Sequence, residues 1–388
     1  MFGGIGVNVF ILGLVSFLTD VSSEMIYPLL PLFVTSVLGG GPAFLGMIEG
    51  IAESTAALLK LSSGILSDRT GGRKGLVLAG YSLAAIARPL VALAASPAHV
   101  LLVRFFDRAG KGIRTSPRDA LIADSTDQNM WGKAFGFQRA LDHAGAILGP
   151  LVASGLLAWL AVDLRTVFWL AAIPGAMAVG LIVVKLRDVP RRTSVSSSTF
   201  DISPPRNIRG YLLVLLLFTL GNSSDAFLLL RAGQLGVSPA RIPLLWTFFH
   251  AVKMLASMPF GALSDRIGRR SVIVAGWCVY ALAYAGFALA GNELQIWLLF
   301  AWYGLFYGMT EGVEKAYLSD LAEPAERGAA FGWYNAAIGI GAFPASLLFG
   351  LIWQKVSPQA AFMSGAGLAG LASLLLIMLQ PAPPGTSR

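Results

Sequence analysis

The residues of this chain with the widest chemical reach are ionisable groups set inside apolar runs. Asp20 and Glu24 stand four apart, hence on one face of a helix, and Glu49 and Glu53 repeat that spacing. Asp225 takes a matching place further along, where Ser223-Ser224-Asp225 echoes Ser22-Ser23-Glu24. Glu311, Glu314 and Lys315 form a third group. A carboxylate withdrawn from water holds its proton more tightly and can load and release it near neutral pH, which is what coupling to a proton gradient requires. The plainer alternative is a structural ion pair, of Glu49 or Glu53 with Lys60 or Arg88.

Cations follow the same pattern. On a helix, Arg104, Arg108, Lys111 and Arg118 fall within about 80° of one another. Each costs about 2.5–3.5 kcal/mol at the centre of a bilayer, so a stripe of four cannot face hydrocarbon. It must face an aqueous cavity, carboxylate partners or, for Arg114 and Arg118, the inner surface. Arg139, Asp142 and His143 precede Gly145-x-x-x-Gly149-Pro150 by about a turn, and His250 shares a face with Lys253. A lone histidine in such a run is more simply a packing residue. The aromatic residues Trp246, Phe248, Phe249, Trp302, Tyr303, Phe306 and Tyr307 are candidates to line an amphipathic cavity or to pack.

The elements that position these groups follow from composition. Of 388 residues, 55% are hydrophobic and 13% charged, where a soluble domain carries about 25% charged. That deficit leaves too little polar surface for water and implies lipid as solvent. Twelve runs reach the ~20 residues a spanning helix needs: 7–37, 43–67, 75–96, 98–123, 132–158, 164–185, 208–232, 238–263, 271–291, 294–320, 327–354 and 357–380. Barrel strands of about 10 alternating residues do not fit them. Fifteen Lys and Arg fall in the connections of one side and four on the other, which places both termini in the cytoplasm.

Residues 186–207, rich in Ser, Pro and Arg, read as a cytoplasmic linker between bundles 1–185 and 208–388. The halves repeat. GILSDRTGGRK at 64–74 recurs as GALSDRIGRR at 261–270, PRDALIADS at 117–125 as VEKAYLSDL at 313–321, and KAFGF at 133–137 as AAFGW at 329–333. Parallel six-helix halves place a substrate site at the midplane.

Much is excluded. The net charge of +8 comes from Lys and Arg between apolar runs, not from solvated basic clusters, so nucleic acid is not a partner. The one cysteine, Cys278, excludes an internal disulfide and a cysteine metal site. No metal or cofactor is expected. The start, MFGGIGVNVF, lacks the basic segment of a cleavable signal. No phosphate loop, zinc-protease motif or nucleophile elbow occurs, so no enzyme is expected, and without an ATP module the energy of transport must come from a gradient.

These motifs resemble the major facilitator superfamily, over nearly the whole chain. Gly64, Leu66, Asp68, Arg69, Gly71 and Arg73 match its G-x-L-x-D-R-x-G-R-R signature, departing at Gly72. Gly261, Leu263, Asp265, Arg266, Gly268, Arg269 and Arg270 form a complete second copy. Gly64 is expected to let a neighbouring helix approach closely, and the resemblance implies that these residues close an inner gate. Arg104 and Gly110 are similar to the family's fourth-helix motif, though Arg108 stands where its first glycine is usual. Gly145, Gly149 and Pro150 resemble the antiporter motif of drug exporters, with Ala153 and Ser154 in place of its last glycines.

The implied protein is an all-α, twelve-helix monomer of a bacterial inner membrane. By alternating access it moves a small amphipathic or anionic solute outward against protons. The rivals are a proton-coupled importer of an organic anion and a receptor or scaffold that transports nothing.

Overall fold

The computed structural model describes residues 6–70, 73–127, 130–189, 204–322 and 327–379. Twelve helical stretches follow one another among them: α1 (Val7–Val37), α2 (Pro42–Thr70), α3 (Arg73–Leu93), α4 (Pro97–Asp124), α5 (Trp131–Trp159), α6 (Leu164–Lys185), α7 (Arg206–Gln234), α8 (Ile242–Ile267), α9 (Arg269–Leu289), α10 (Glu293–Leu321), α11 (Arg327–Lys355) and α12 (Pro358–Met378). The fold is the expected all-α one. Eight of the helices are long and apolar enough to cross a membrane. The other four are α2, α4, α8 and α10, the same two positions in each half, and they carry most of the ionisable groups singled out above. Duplication has kept the charge on equivalent helices.

Local sequence explains where the helices depart from regularity. In α1, Pro28 and Pro31 cannot donate to the helical ladder, and the backbone tightens at Tyr27–Leu29 and widens at Phe33–Val37. Pro89 has the same effect on α3, which ends in the tight turn Arg88–Leu93. Among the described residues, side-chain caps start helices at Asp163, to the Thr166 amide, at Asn292, to Gln295, and at Ser357, to Ala360.

One difference from the run lengths is informative. The seventh run, expected unbroken over 208–232, is interrupted. Its first segment ends at Gly221, Asn222 leaves helical geometry (φ −97°, ψ 87°), and helix resumes at Ala226. Asn222, Ser223 and Ser224 offer the backbone side-chain partners that compete with the helix. The freed groups are satisfied: Tyr280 Oη donates to Gly221 O at 3.0 Å, and the Ala226 amide donates to Ser224 Oγ at 3.3 Å. Irregular backbone at membrane depth persists only with such partners.

The chain forms two compact units. One comprises residues 1–41, 51–198 and 237–247, and the other 42–50, 199–236 and 248–388. In the first, α1 packs along α5 and α6, and α3 packs along α4. In the second, α9 packs on α10 and α12, and α7 packs on α11 and α12. Most of the 186–207 segment, including Arg191 and Arg192, lies outside the described residues.

Candidate functional site: charged networks inside the helices

In the first unit, α1 and α4 run antiparallel and exchange polar contacts along their length. Arg118 Nη1 donates to Ser16 Oγ (3.3 Å), and Gln138 of α5 donates to the same oxygen (2.9 Å). Nearer the other end, Arg88 of α3 donates to Asp107 Oδ1 (2.8 Å) and to Thr19 O (2.9 Å), while Arg104 reaches Asp107 Oδ2 (3.4 Å) and lies over the Tyr27 ring. All three charges are under 8% exposed. Arg108 pairs with Glu53 of α2 at 3.1 Å. Arg114 lies over the Tyr81 ring at 4.3 Å, and Arg118 pairs with Asp119 at 2.8 Å. Arg139 reaches Asp142 at 3.4 Å, and Gln138 also donates to Asp142.

Asp20 and Glu24 lie at the centre of this array. Glu24 accepts from Trp246 Nε1 at 2.8 Å. The charges acting on Asp20 are those of Asp142, Glu24, Lys111 and Arg114. The antiporter-like motif sits directly behind both carboxylates. A Cβ on Gly145 would lie 2.5 Å from Phe17 O and 3.0 Å from Asp20 Cβ, and one on Gly149 2.7 Å from Val21 O and 3.0 Å from Glu24 Cβ. Two glycines four apart on α5 therefore meet two acids four apart on α1, and only glycine permits that approach. Replacing Gly149 by Val is expected to cost about 1–3 kcal/mol by overpacking, seen as a lower Tm in detergent. The same change at exposed Ala144 should leave Tm unaltered.

The second unit holds a different array. Asp225 precedes the restarted segment of α7 and accepts from Tyr303 Oη at 2.6 Å and Tyr307 Oη at 3.3 Å. Lys253 of α8 pairs with Glu311 at 2.8 Å and stands over the Tyr307 ring at 4.5 Å. Glu49, 1% exposed, accepts from Ser224 Oγ at 3.3 Å. Glu314 is buried between two neutral donors, Trp277 Nε1 (2.9 Å) and Tyr334 Oη (2.7 Å). Glu314→Leu would strand both donors, at about 1–3 kcal/mol each. A fall in Tm for Glu314→Leu that Glu314→Gln largely avoids would be the readout.

The duplicated G-x-L-x-D-R-x-G-R-R signature is described in part. The side chains of Asp68 and Arg69, and Gly71 entirely, lie outside the described residues. Arg73 pairs with Asp124 at 2.6 Å, and Arg269 with Asp320 at 2.6 Å, both members of the second pair lying 196 positions after those of the first. Arg269 also reaches Asp265 at 3.5 Å. Gly268 adopts φ +92° in the turn from α8 to α9, a conformation that favours glycine. Arg270 Nε donates to Leu376 O at 2.9 Å, at the end of α12, and Arg266 is exposed. The expected close approach at Gly64 is not found. A Cβ at Gly64 would lie 3.4 Å from Ser116 Cβ, an ordinary contact, and one at Gly261 would meet open space. Neighbouring backbones stand far enough off at these points to admit a methyl group.

The structure thus gathers Asp20, Glu24, Glu53, Arg104, Lys111, Arg118, Arg139 and Asp142 into the first unit, and Glu49, Asp225, Glu311 and Glu314 into the second. Lys315 is exposed. The ion-pair alternatives resolve differently from expectation: Arg88 binds Asp107, and Glu53 binds Arg108. Sequence reading missed Asp107 as the anchor of two arginines and Trp246 as the donor to Glu24. The first carried a signal, since Asp107 is the lone acid inside the cation-rich stretch 104–118. The second carried none, because the partners lie 222 positions apart.

A twelve-helix chain with a duplicated plan and ionisable clusters inside its spans defines a polytopic membrane transporter. The sequence profile of the Major Facilitator Superfamily matches residues 12–231 and 210–388. An uncharacterised MFS-type transporter of Methanocaldococcus jannaschii is 36% identical over 96% of this chain and 94% of its own. The multidrug resistance protein MdtH of Photorhabdus laumondii is 24% identical over 82% and 79%. The crystal structure of the nucleoside transporter NupG superposes with a TM-score of 0.78 at 14% identity, covering 95% of this chain and 98% of that one. The chain belongs to the Major Facilitator Superfamily.

Proposed function

We propose that the chain is a proton-coupled exporter that exchanges a small amphipathic solute for protons by alternating access, with Asp20 and Glu24 as the exchanging groups. The observation that carries this reading is the register of Gly145 and Gly149 behind Asp20 and Glu24, which sets two acids one turn apart, inside a spanning helix, against an antiporter-like motif. Similarity to a multidrug resistance protein supports the outward direction. The halves 1–185 and 208–388 act as the moving bundles, the Arg73–Asp124 and Arg269–Asp320 pairs belong to the gate, and the protein works as a monomer in a bacterial inner membrane with both termini in the cytoplasm.

Inverted vesicles test the direction. Acidifying their interior should drive accumulation of solute from outside, and accumulation only in right-side-out vesicles would identify an importer. The cation stripe on α4 favours that second reading, import of an organic anion together with protons.

A further inference from the structure

We propose that the transported solute is a zwitterion, its anionic group held by the ammonium of Lys111 and its cationic group by the carboxylate of Asp20. The proposal rests on the reading of Asp20 as a group that exchanges protons for solute.

The other α4 cations between 104 and 118 are engaged: Arg104 with Asp107, Arg108 with Glu53, Arg114 with the Tyr81 ring and Arg118 with Asp119. The Lys111 ammonium closes neither an ion pair nor a hydrogen bond among the described residues, yet it lies mid-helix and is solvent-accessible. Lipid does not explain the exposure. The exposed apolar residues Leu102 and Phe106 lie about 180° and about 140° around α4 from Lys111. An ammonium opposite the apolar face of a spanning helix faces water or a ligand.

Asp20 is its counterpart. Its carboxylate also closes no ion pair or hydrogen bond among the described residues, and it is half-buried. Asp20 and Lys111 act on each other electrostatically. The contacts of Arg118 with Ser16 and of Arg104 with Tyr27 fix the register of α4 against α1 and set Lys111 level with Asp20, and two such groups would normally join. Their backbones are held by close packing: Gly145 behind Asp20, and on α4 Gly110 and Gly112, whose Cβ atoms would lie 2.5 Å from Gly80 O and 2.7 Å from Leu59 Cβ. An acid and a base kept near but apart leave a place for a molecule bearing both opposite charges.

The neighbours select against simpler ions. A lone anion on Lys111 leaves Asp20 facing Glu24 and Asp142, and a lone cation on Asp20 leaves Lys111 beside Arg108, with Glu53, already paired to Arg108, and Glu24, already bonded to Trp246, as the other carboxylates acting on it. A zwitterion answers both. Arrival of its ammonium at Asp20 displaces the bound proton, which makes solute and proton alternatives at one carboxylate. The groups acting on that carboxylate are Glu24 from α1, Lys111 and Arg114 from α4 and Asp142 from α5.

The test is binding to the purified full-length protein at fixed pH, read as thermal stabilisation. The probes are amino acids and dipeptides, their N-acetyl derivatives (anions) and their amides (cations). One or more zwitterions should bind, with both derivatives weaker by about tenfold or more. Lys111→Gln and Asp20→Asn should each weaken that zwitterion by about as much, and Lys111→Arg should retain it. No zwitterionic binder, equal binding of a derivative, or undiminished binding to Lys111→Gln alongside a normal Tm would overturn the proposal. No gradient enters this measurement, so its failure is separable from that of proton coupling, which would show as flux indifferent to pH.

Discussion

Glu24→Gln is expected to lower proton-driven transport by about two orders of magnitude, the scale on which a missing positioned proton carrier is felt. Glutamine keeps the size of the side chain and an oxygen that still accepts from Trp246, which donates at 2.8 Å in the native protein. Packing against Gly149 is unchanged, because that contact is made at Cβ. The substitution therefore removes one property, the ability to exist both charged and protonated, and leaves the fold nearly untouched. Asp20→Asn should behave alike. Glu24→Asp, which restores a carboxylate on a shorter stem, should recover part of the rate. A Glu24→Gln protein with normal Tm and normal pH-driven flux would remove Glu24 from the mechanism.

Asp107→Ala is expected to bring the largest loss of stability, about 3–5 kcal/mol, the cost of leaving a buried charge without its partner. The effect is large because one carboxylate serves two guanidinium groups, Arg88 and Arg104, and all three are buried. Arg88 would keep Thr19 O and Arg104 the Tyr27 ring, and neither of these contacts replaces the lost carboxylate. Replacing Arg88, Arg104 and Asp107 together by apolar residues of similar volume should recover most of the loss, since an apolar substitute for a buried ion cluster is often neutral or better. Tm in detergent for the single, the triple and the intermediate variants closes the cycle. A triple variant as unstable as Asp107→Ala would mean that the cluster holds the helices by shape rather than by charge.

How much of this was legible in the sequence depends on the range over which each signal acts. Run length gave the helices, because a bilayer imposes about 20 residues on each span. Spacing gave faces: Asp20 with Glu24, and the α4 stripe, are properties of one helix and survive any packing. The repeat tied Arg73 to Arg269 before any partner was known. Partners were another matter. Nothing in a single sequence says that Arg88 meets Asp107 rather than Glu49, or that Trp246 meets Glu24, since a helical wheel lacks neighbours. The break in α7 was hidden for a different reason. Gly221-Asn222-Ser223-Ser224 interrupts an otherwise apolar run too briefly to lower its hydropathy, and the competing side-chain contacts are visible only with Tyr280 in place. The glycines show both outcomes: Gly145 and Gly149 make the close approach their type suggests, while Gly64 and Gly261 do not.

The measurement that bears most directly on proton exchange at Asp20 and Glu24 is flux in proteoliposomes of a solute found to bind, with the pH gradient imposed and then collapsed by a protonophore. Transport through the native protein should be at least about tenfold faster with the gradient than without it, equivalent to about 1.4 kcal/mol in the effective barrier. An internal pH dye should report protons moving opposite to the solute, and Asp20→Asn and Glu24→Gln should abolish that signal. Equal rates with and without the gradient, or a proton signal that persists in both variants, would contradict the account.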